Sequence, residues 1–135
     1  MLRGAEDNPV REFRVTLHQK SGELARLCEL ISRRGLNLKS VAGIAEGGKA
    51  IICVVCEDVA GLRTTLQESR IQFEEAEVLT HLMEDRAGEL SALASKLAQG
   101  GVNLSSLYIL ARESPLIEVG FTVDDPKKAK RALGA

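Results

Sequence analysis

The chain has 135 residues, 44% hydrophobic and 27% charged, with a formal net charge of −1. That length supports one compact domain or two small ones, and the hydrophobic share excludes disorder along the whole chain. Near-zero charge and an aromatic content of 3% leave neither the basic footprint nor the stacking platforms of a nucleic-acid binder. No stretch approaches the roughly 20 apolar residues of a membrane span, so no membrane partner is expected. The segment from Met1 to Arg11 is too polar for a signal peptide. Three cysteines, an odd number, then read as reduced thiols of a cytoplasmic protein.

Beyond a polar tail over residues 1–11, Phe13, Val15 and Leu17 alternate with Arg14, Thr16 and His18, the period of a half-buried strand. Leu24, Leu27, Cys28 and Ile31 recur at helical spacing, and Gly35 ends that helix. A strand from Leu36 to Ala45 reaches Gly47-Gly48, which suit a tight hairpin, and Ala50 to Cys56 returns. Asp58 is a helix N-cap for a segment carrying Leu62 and Leu66. Ile71 to Met83 is expected to hold two strands, with Phe73, Val78 and Leu79 as its apolar members. A helix on Leu90, Leu93 and Leu97 stops at Gly100-Gly101, and strands Val102 to Ala111 and Leu116 to Val123 flank a turn at Glu113-Ser114-Pro115. Asp124-Asp125-Pro126 opens the last helix, with proline in its first turn.

The chain repeats itself at an offset of 66 residues, as from Gly22 to Gly88. Glu23/Glu89, Leu24/Leu90, Leu27/Leu93, Gly35/Gly101, Asn37/Asn103, Leu38/Leu104 and Ser40/Ser106 are identical, and Ala45/Ala111, Ile51/Ile117 and Asp58/Asp124 extend the match. Amphipathic helices alone account for the leucines but not for glycines and an asparagine in register, so duplication is the better account. The predicted fold is α+β: two ferredoxin-like βαββαβ repeats over residues 12–76 and 77–135, each an antiparallel sheet with helices on one face. Carrying copy one's last strand forward by the offset passes Ala135, so copy two is expected to lack its last strand and to need a partner at that edge.

In copy two, Ile117, Val119, Phe121 and Val123 form the helix-covered face, alternating with Glu118, Gly120 and Thr122. Transfer at 66 assigns Ile51, Cys53 and Val55 to the covered face of copy one, leaving Ile52, Val54 and Cys56 opposite. That strand is apolar on both faces and should be buried on both.

Catalytic chemistry is sparse. Cys53 and Cys56 match C-x-x-C, but residues three apart in a strand point to opposite faces, so neither a disulfide nor a shared metal is expected. They and Cys28 read as core thiols. His18 and His81 have no zinc-ligand spacing. Asn103-Leu104-Ser105 fits the glycosylation pattern but lacks export. Glu74, Glu75 and Glu77 read as a solvated strand side, and Lys127, Lys128, Lys130 and Arg131 as the solvated face of the last helix. No phosphate loop, Rossmann fingerprint or Ser/His/Asp set is present, and no cofactor is expected.

The duplicated turn carries the functional signal. Gly22 and Gly88 precede a helix, where glycine permits close approach and the N–H groups of the first turn attract a carboxylate or phosphate. Asn37 and Asn103 are expected to open the strand adjacent to that turn, with amides that donate and accept. Together these make a small zwitterion site; alternatively, glycine only permits the turn and asparagine only caps the strand.

Lys20-Ser21-Gly22-Glu23-Leu24 with Gly35-Leu36-Asn37-Leu38, and Asp85-Arg86-Ala87-Gly88-Glu89-Leu90 with Gly101-Val102-Asn103-Leu104, resemble the ACT-domain pattern Asp-x-Pro-Gly-x-Leu, helix, Gly-hydrophobic-Asn-hydrophobic. The resemblance covers about residues 12 to 133 and is that of stand-alone tandem-ACT proteins of prokaryotes. It implies a regulatory module that binds an amino acid between domains, with ligand contacts from each turn and from Asn37 and Asn103. The family's Asp is kept as Asp85 but is Gln19 in copy one, and its Pro is replaced by Ser21 and Ala87, so copy two is expected to be the better site. The resulting expectation is a non-enzymatic, homodimeric amino-acid sensor. The alternative is a ligand-free interaction module docking on an enzyme or transcription factor.

Overall fold

A computed structural model of the chain describes residues 10–18 and 21–134. In chain order these form β1 (Val10–His18), α1 (Glu23–Arg33), β2 (Leu38–Glu46), β3 (Lys49–Cys56), α2 (Val59–Glu68), β4 (Phe73–Glu84), α3 (Glu89–Gln99), β5 (Leu104–Glu113), β6 (Leu116–Val123) and α4 (Pro126–Ala132). The expected tail falls largely on residues 1–9, outside the described ones, and Val10 and Arg11 already belong to β1. The segment from Ile71 to Met83 holds a single strand, β4, rather than two. The chain forms two compact units, and the boundary after Ala76 falls inside β4.

In the first unit the strand order is β2-β3-β1, with the start of β4 beside β1. This is the ferredoxin-like order, built on antiparallel pairs such as Val15 with Ile52 and Val41 with Val54. Its core joins Phe13, Val15, Ile52, Val54 and Cys56 of the sheet to Leu27, Ile31, Leu62 and Leu66 of the two helices. In the second unit β6 pairs with β4 and β5, and Leu79, Met83, Val119 and Phe121 meet Leu93, Leu97 and Ala129. Among the described residues no strand follows α4.

The helix-covered face of β3 is the opposite of the one transferred from copy two. Ile52, Val54 and Cys56 face the helices, whereas Ile51, Cys53 and Val55 do not. The reason is a β-bulge. Both copies carry a register shift at the start of the second strand, at Leu38/Ser40 and Leu104/Ser106, but β5 has a further shift between Ile109 and Ala111. Leu110 is the extra residue, and beyond it the copies correspond at an offset of 67, as from Asp58 to Asp125. Because strand side chains alternate with period 2, one inserted residue exchanges the faces. The identities Ala45/Ala111, Ile51/Ile117 and Asp58/Asp124 are therefore not structural equivalents.

Both faces of β3 are nevertheless buried: Val54 is 1% exposed on the helix side and Val55 0% on the other. The opposite face also holds Glu12 at 2%, its carboxylate 3.3 Å from Arg14.

The helix ends follow their sequence signals. Asp58 and Asp125 cap α2 and α4, accepting from the Gly61 and Lys128 N–H groups at 2.8 and 3.2 Å. Gly35 and Gly101 take the left-handed conformation that closes α1 and α3. Cys28 departs from expectation: it is exposed, whereas Cys53 and Cys56 are buried. Leu27 and Ile31 are the residues α1 turns inward, and Cys28 and Leu24 lie on its flank, with Leu24 48% exposed. Glu75 departs from the expected solvated strand side: its carboxylate is ion-paired with Arg11 and Arg63.

Candidate functional site

The β4–α3 turn is shaped by Gly88, which stands at φ 93°, ψ −19° as the N-cap residue of α3. A residue with a Cβ is strained there, so glycine is required by the backbone itself. The consequence is electrostatic: no side chain caps α3, and the same holds at Gly22, φ 90°, before α1. Helices α2 and α4 carry aspartate caps, whereas the two duplicated turns supply no side-chain cap; the Glu89 N–H donates to the Arg86 carbonyl at 3.4 Å, and the remaining first-turn N–H groups favour an anion. Leu90 in the first turn of α3 is 49% exposed, matching Leu24 of α1.

Charged groups of both signs surround the second turn. Asp85 is ion-paired with Arg112 of β5, and its N–H donates to the Pro115 carbonyl at 2.9 Å. Arg86 reaches Glu84 at 2.7 Å and Glu89 at 3.3 Å. Ala87 completes the turn without a polar side chain. Arg112 has no local sequence signal, because only the register of β5 and β4 on the two sides of β6 brings it to Asp85. At the first turn, Lys20 lies outside the described residues, Ser21 is exposed, and the Glu23 carboxylate accepts from the His18 N–H at 3.1 Å.

The asparagines lie elsewhere. Glu84 pairs with Leu116, whereas Leu104, next to Asn103, pairs with Val123 at the far end of β6. Seven strand steps separate those ends, about 23 Å. Within one unit Asn103 and Gly88 therefore do not converge on one small ligand. Asn103 instead latches Asp124: its backbone N–H and its side-chain amide donate to that carboxylate at 3.1 and 3.0 Å. These bonds, the side-chain one foremost, hold the Asp124 pKa below the usual carboxylate value. Asn37 takes the same position in the first unit, where Leu38 pairs with Cys56 and the Asn37 carbonyl lies 3.6 Å from the Cys56 thiol. Burial pushes the Cys56 thiol pKa up.

His81 sits on the helix side of β4, opposite Val119, two residues before the end of the core strip at Met83. Burial and then the Lys96 charge hold its pKa below the usual imidazole value, partly opposed by Glu89. Among the described residues no group of three or more His, Cys, Asp or Glu side chains could hold a metal ion.

No family model matches the chain, and no curated protein does. Solved structures do match. A protein from Bacteroides thetaiotaomicron superposes with a TM-score of 0.83 over 93% of this chain and 87% of its own, at 17% identity. The ligand-free regulatory subunit of aspartate kinase from Thermus thermophilus matches at TM-score 0.64 and 14% identity, covering 95% of this chain and 92% of that one. The corresponding subunit from Thermus flavus matches at TM-score 0.61 and 13% identity, over 94% and 91%. The fold is ACT-like. At these identities the likeness is one of fold, and the ACT-like arrangement of two ferredoxin-like repeats spans nearly the whole chain. No described helix is long and apolar enough to cross a membrane.

Proposed function

We propose that the chain is a non-enzymatic, cytoplasmic regulatory protein, a tandem-ACT sensor that binds a free amino acid at the β4–α3 turn and acts as a homodimer. The observation that carries this reading is the uncapped N-terminus of α3 at a left-handed Gly88, set among Asp85, Arg86, Glu89 and Arg112. The ligand carboxylate takes the Leu90 and Ser91 N–H groups, approached closely over Gly88. Its ammonium competes with Arg112 for Asp85, which loosens β5 from the turn and gives binding a structural readout. Asn37 and Asn103 act on the fold rather than on this ligand. The turn at Ser21, Gly22 and Glu23 is the weaker site, because Glu23 is engaged by the His18 N–H.

A thermal-shift screen against the twenty amino acids tests the reading. A ligand at 100 times its dissociation constant adds about 2.7 kcal/mol of stability. The expected outcome is a response to one or a few amino acids that Asp85→Asn weakens and Gly88→Val abolishes. A flat response to all twenty overturns it.

A second reading, an interaction module docking on an enzyme or transcription factor, draws on the exposed apolar side chains of the edge strands. Val41 is 56% exposed on β2, and Leu107 and Ile109 are 40% and 50% exposed on β5. Under the first reading a second copy covers them. Light scattering that shows a monomer, with a stable heterologous partner and no amino-acid response, selects the second.

A further inference from the structure

The first unit holds a cavity of about 260 Å³ between α1 and the segment joining α2 to β4. Leu17, Leu27, Leu30 and Ile71 give it apolar walls, and Arg26 and Arg70 line it. Neither arginine is in an ion pair among the described residues. Glu23 also lines it, with its carboxylate accepting from the His18 N–H. The lining charges therefore leave one positive charge in excess.

The second unit provides an internal control. At the offset of 66, Ala92 stands for Arg26 and Lys96 for Leu30. Arg70 is the residue after the C-cap of α2 and takes φ 57°, the only described non-glycine residue with positive φ; its N–H donates to Gln67 O and the next N–H to Leu66 O. The residue after the C-cap of α4 is Gly134, φ 79°. The same closing turn thus carries glycine in one copy and a strained arginine over the cavity in the other. A non-glycine residue in that conformation is uncommon, and here its side chain lines a cavity, which points to a functional reason for keeping it.

We propose that this cavity binds a small organic anion: an oxoanion head held by Arg26 and Arg70, and a short branched or linear aliphatic body on the leucine and isoleucine walls. Planar guanidinium groups accept carboxylate and phosphate heads alike, and the volume lies below the roughly 300–1,000 Å³ of sites for drug-sized molecules. This site is distinct from the β4–α3 turn and takes an anion rather than a zwitterion.

Titration of the full chain followed by amide and methyl NMR tests it with four probes: 4-methylpentanoate, 3-methylbutyl phosphate, leucine and 4-methylpentan-1-ol. Either anion, or both, is expected to shift Leu27, Leu30 and Ile71, which also tells a carboxylate source from a phosphate source. Leucine and the alcohol are expected to bind this cavity at least tenfold more weakly. Arg70→Gly, which installs the residue of the second copy, should raise the melting temperature while weakening anion binding at least tenfold, and Arg26→Ala should weaken it similarly. The proposal is overturned if neither anion perturbs the cavity, if leucine or the alcohol binds it equally well, or if Arg70→Gly leaves anion affinity unchanged.

Discussion

A methyl group added at Gly120 would meet Leu110 Cδ1 at 2.6 Å and Val78 Cγ1 at 3.0 Å. Gly120→Ala is therefore expected to destabilise by about 1–3 kcal/mol, the range for overpacking a tight interior, measured as a lower urea midpoint at unchanged slope. Arg70→Gly is expected to act in the opposite direction by about 1 kcal/mol, through relief of the left-handed strain. The cysteines separate by burial: of Cys28, Cys53 and Cys56, only Cys28 is exposed. A thiol reagent should titrate one group rapidly in the native protein and the other two only on unfolding. Two thiols reacting fast would contradict the packing of β3. The sequence made Cys53 and Cys56 legible as core residues from the two-sided apolar run. Cys28 departs from that reading because helical spacing marks an apolar stripe of α1 but not which part of that stripe the sheet covers.

At the scale of elements, the bulge at Leu110 explains what the repeat alone could not show. Helices, their glycine stops and the aspartate before α2 were legible, since periodicity and capping are local signals. The face of β3 was not, because parity depends on a single inserted residue, and Leu110 leaves no composition signature in the strand LSSLYILARE. Its position becomes visible only through pairing, where Leu110 fills the space over Gly120. Deleting Leu110 restores the offset of 66 and sets Ile117, Val119 and Phe121 against a β5 shifted by one residue. The expected result is loss of the cooperative transition of the second unit, read by hydrogen exchange on β5 and β6, with β1 and β3 still protected. The candidate site was legible to the same degree: Gly88 and Asp85 follow from motif and turn chemistry, whereas Arg112 arrives through long-range register, and the separation of Asn103 from Gly88 follows from strand length.

For the molecule as a whole, acid stability reports on three groups. His81 has a folded pKa below the usual 6.5 because of burial, so its contribution is present above that pH and is lost as pH falls below it. Glu75, held down first by Arg63 and then by Arg11, contributes above its usual 4.5 and loses that contribution as pH falls through its depressed folded value. Asp124 follows the same sign through Asn103. Stability should thus decline in two stages, the first just below pH 6.5 and the second below 4.5. His81→Val, which installs the counterpart of Val15, should remove the first stage alone, as followed by denaturant midpoints across pH. The proposed sensor role stands on ligand binding at the β4–α3 turn of this ACT-like fold. Its most direct test is an amide-resolved NMR titration of the full chain with the amino acid that gives the largest thermal shift. The expected result is saturable movement of Gly88, Glu89, Leu90 and Arg112, absent in Gly88→Val and reduced in Asp85→Asn. No movement at that turn with any amino acid would contradict it.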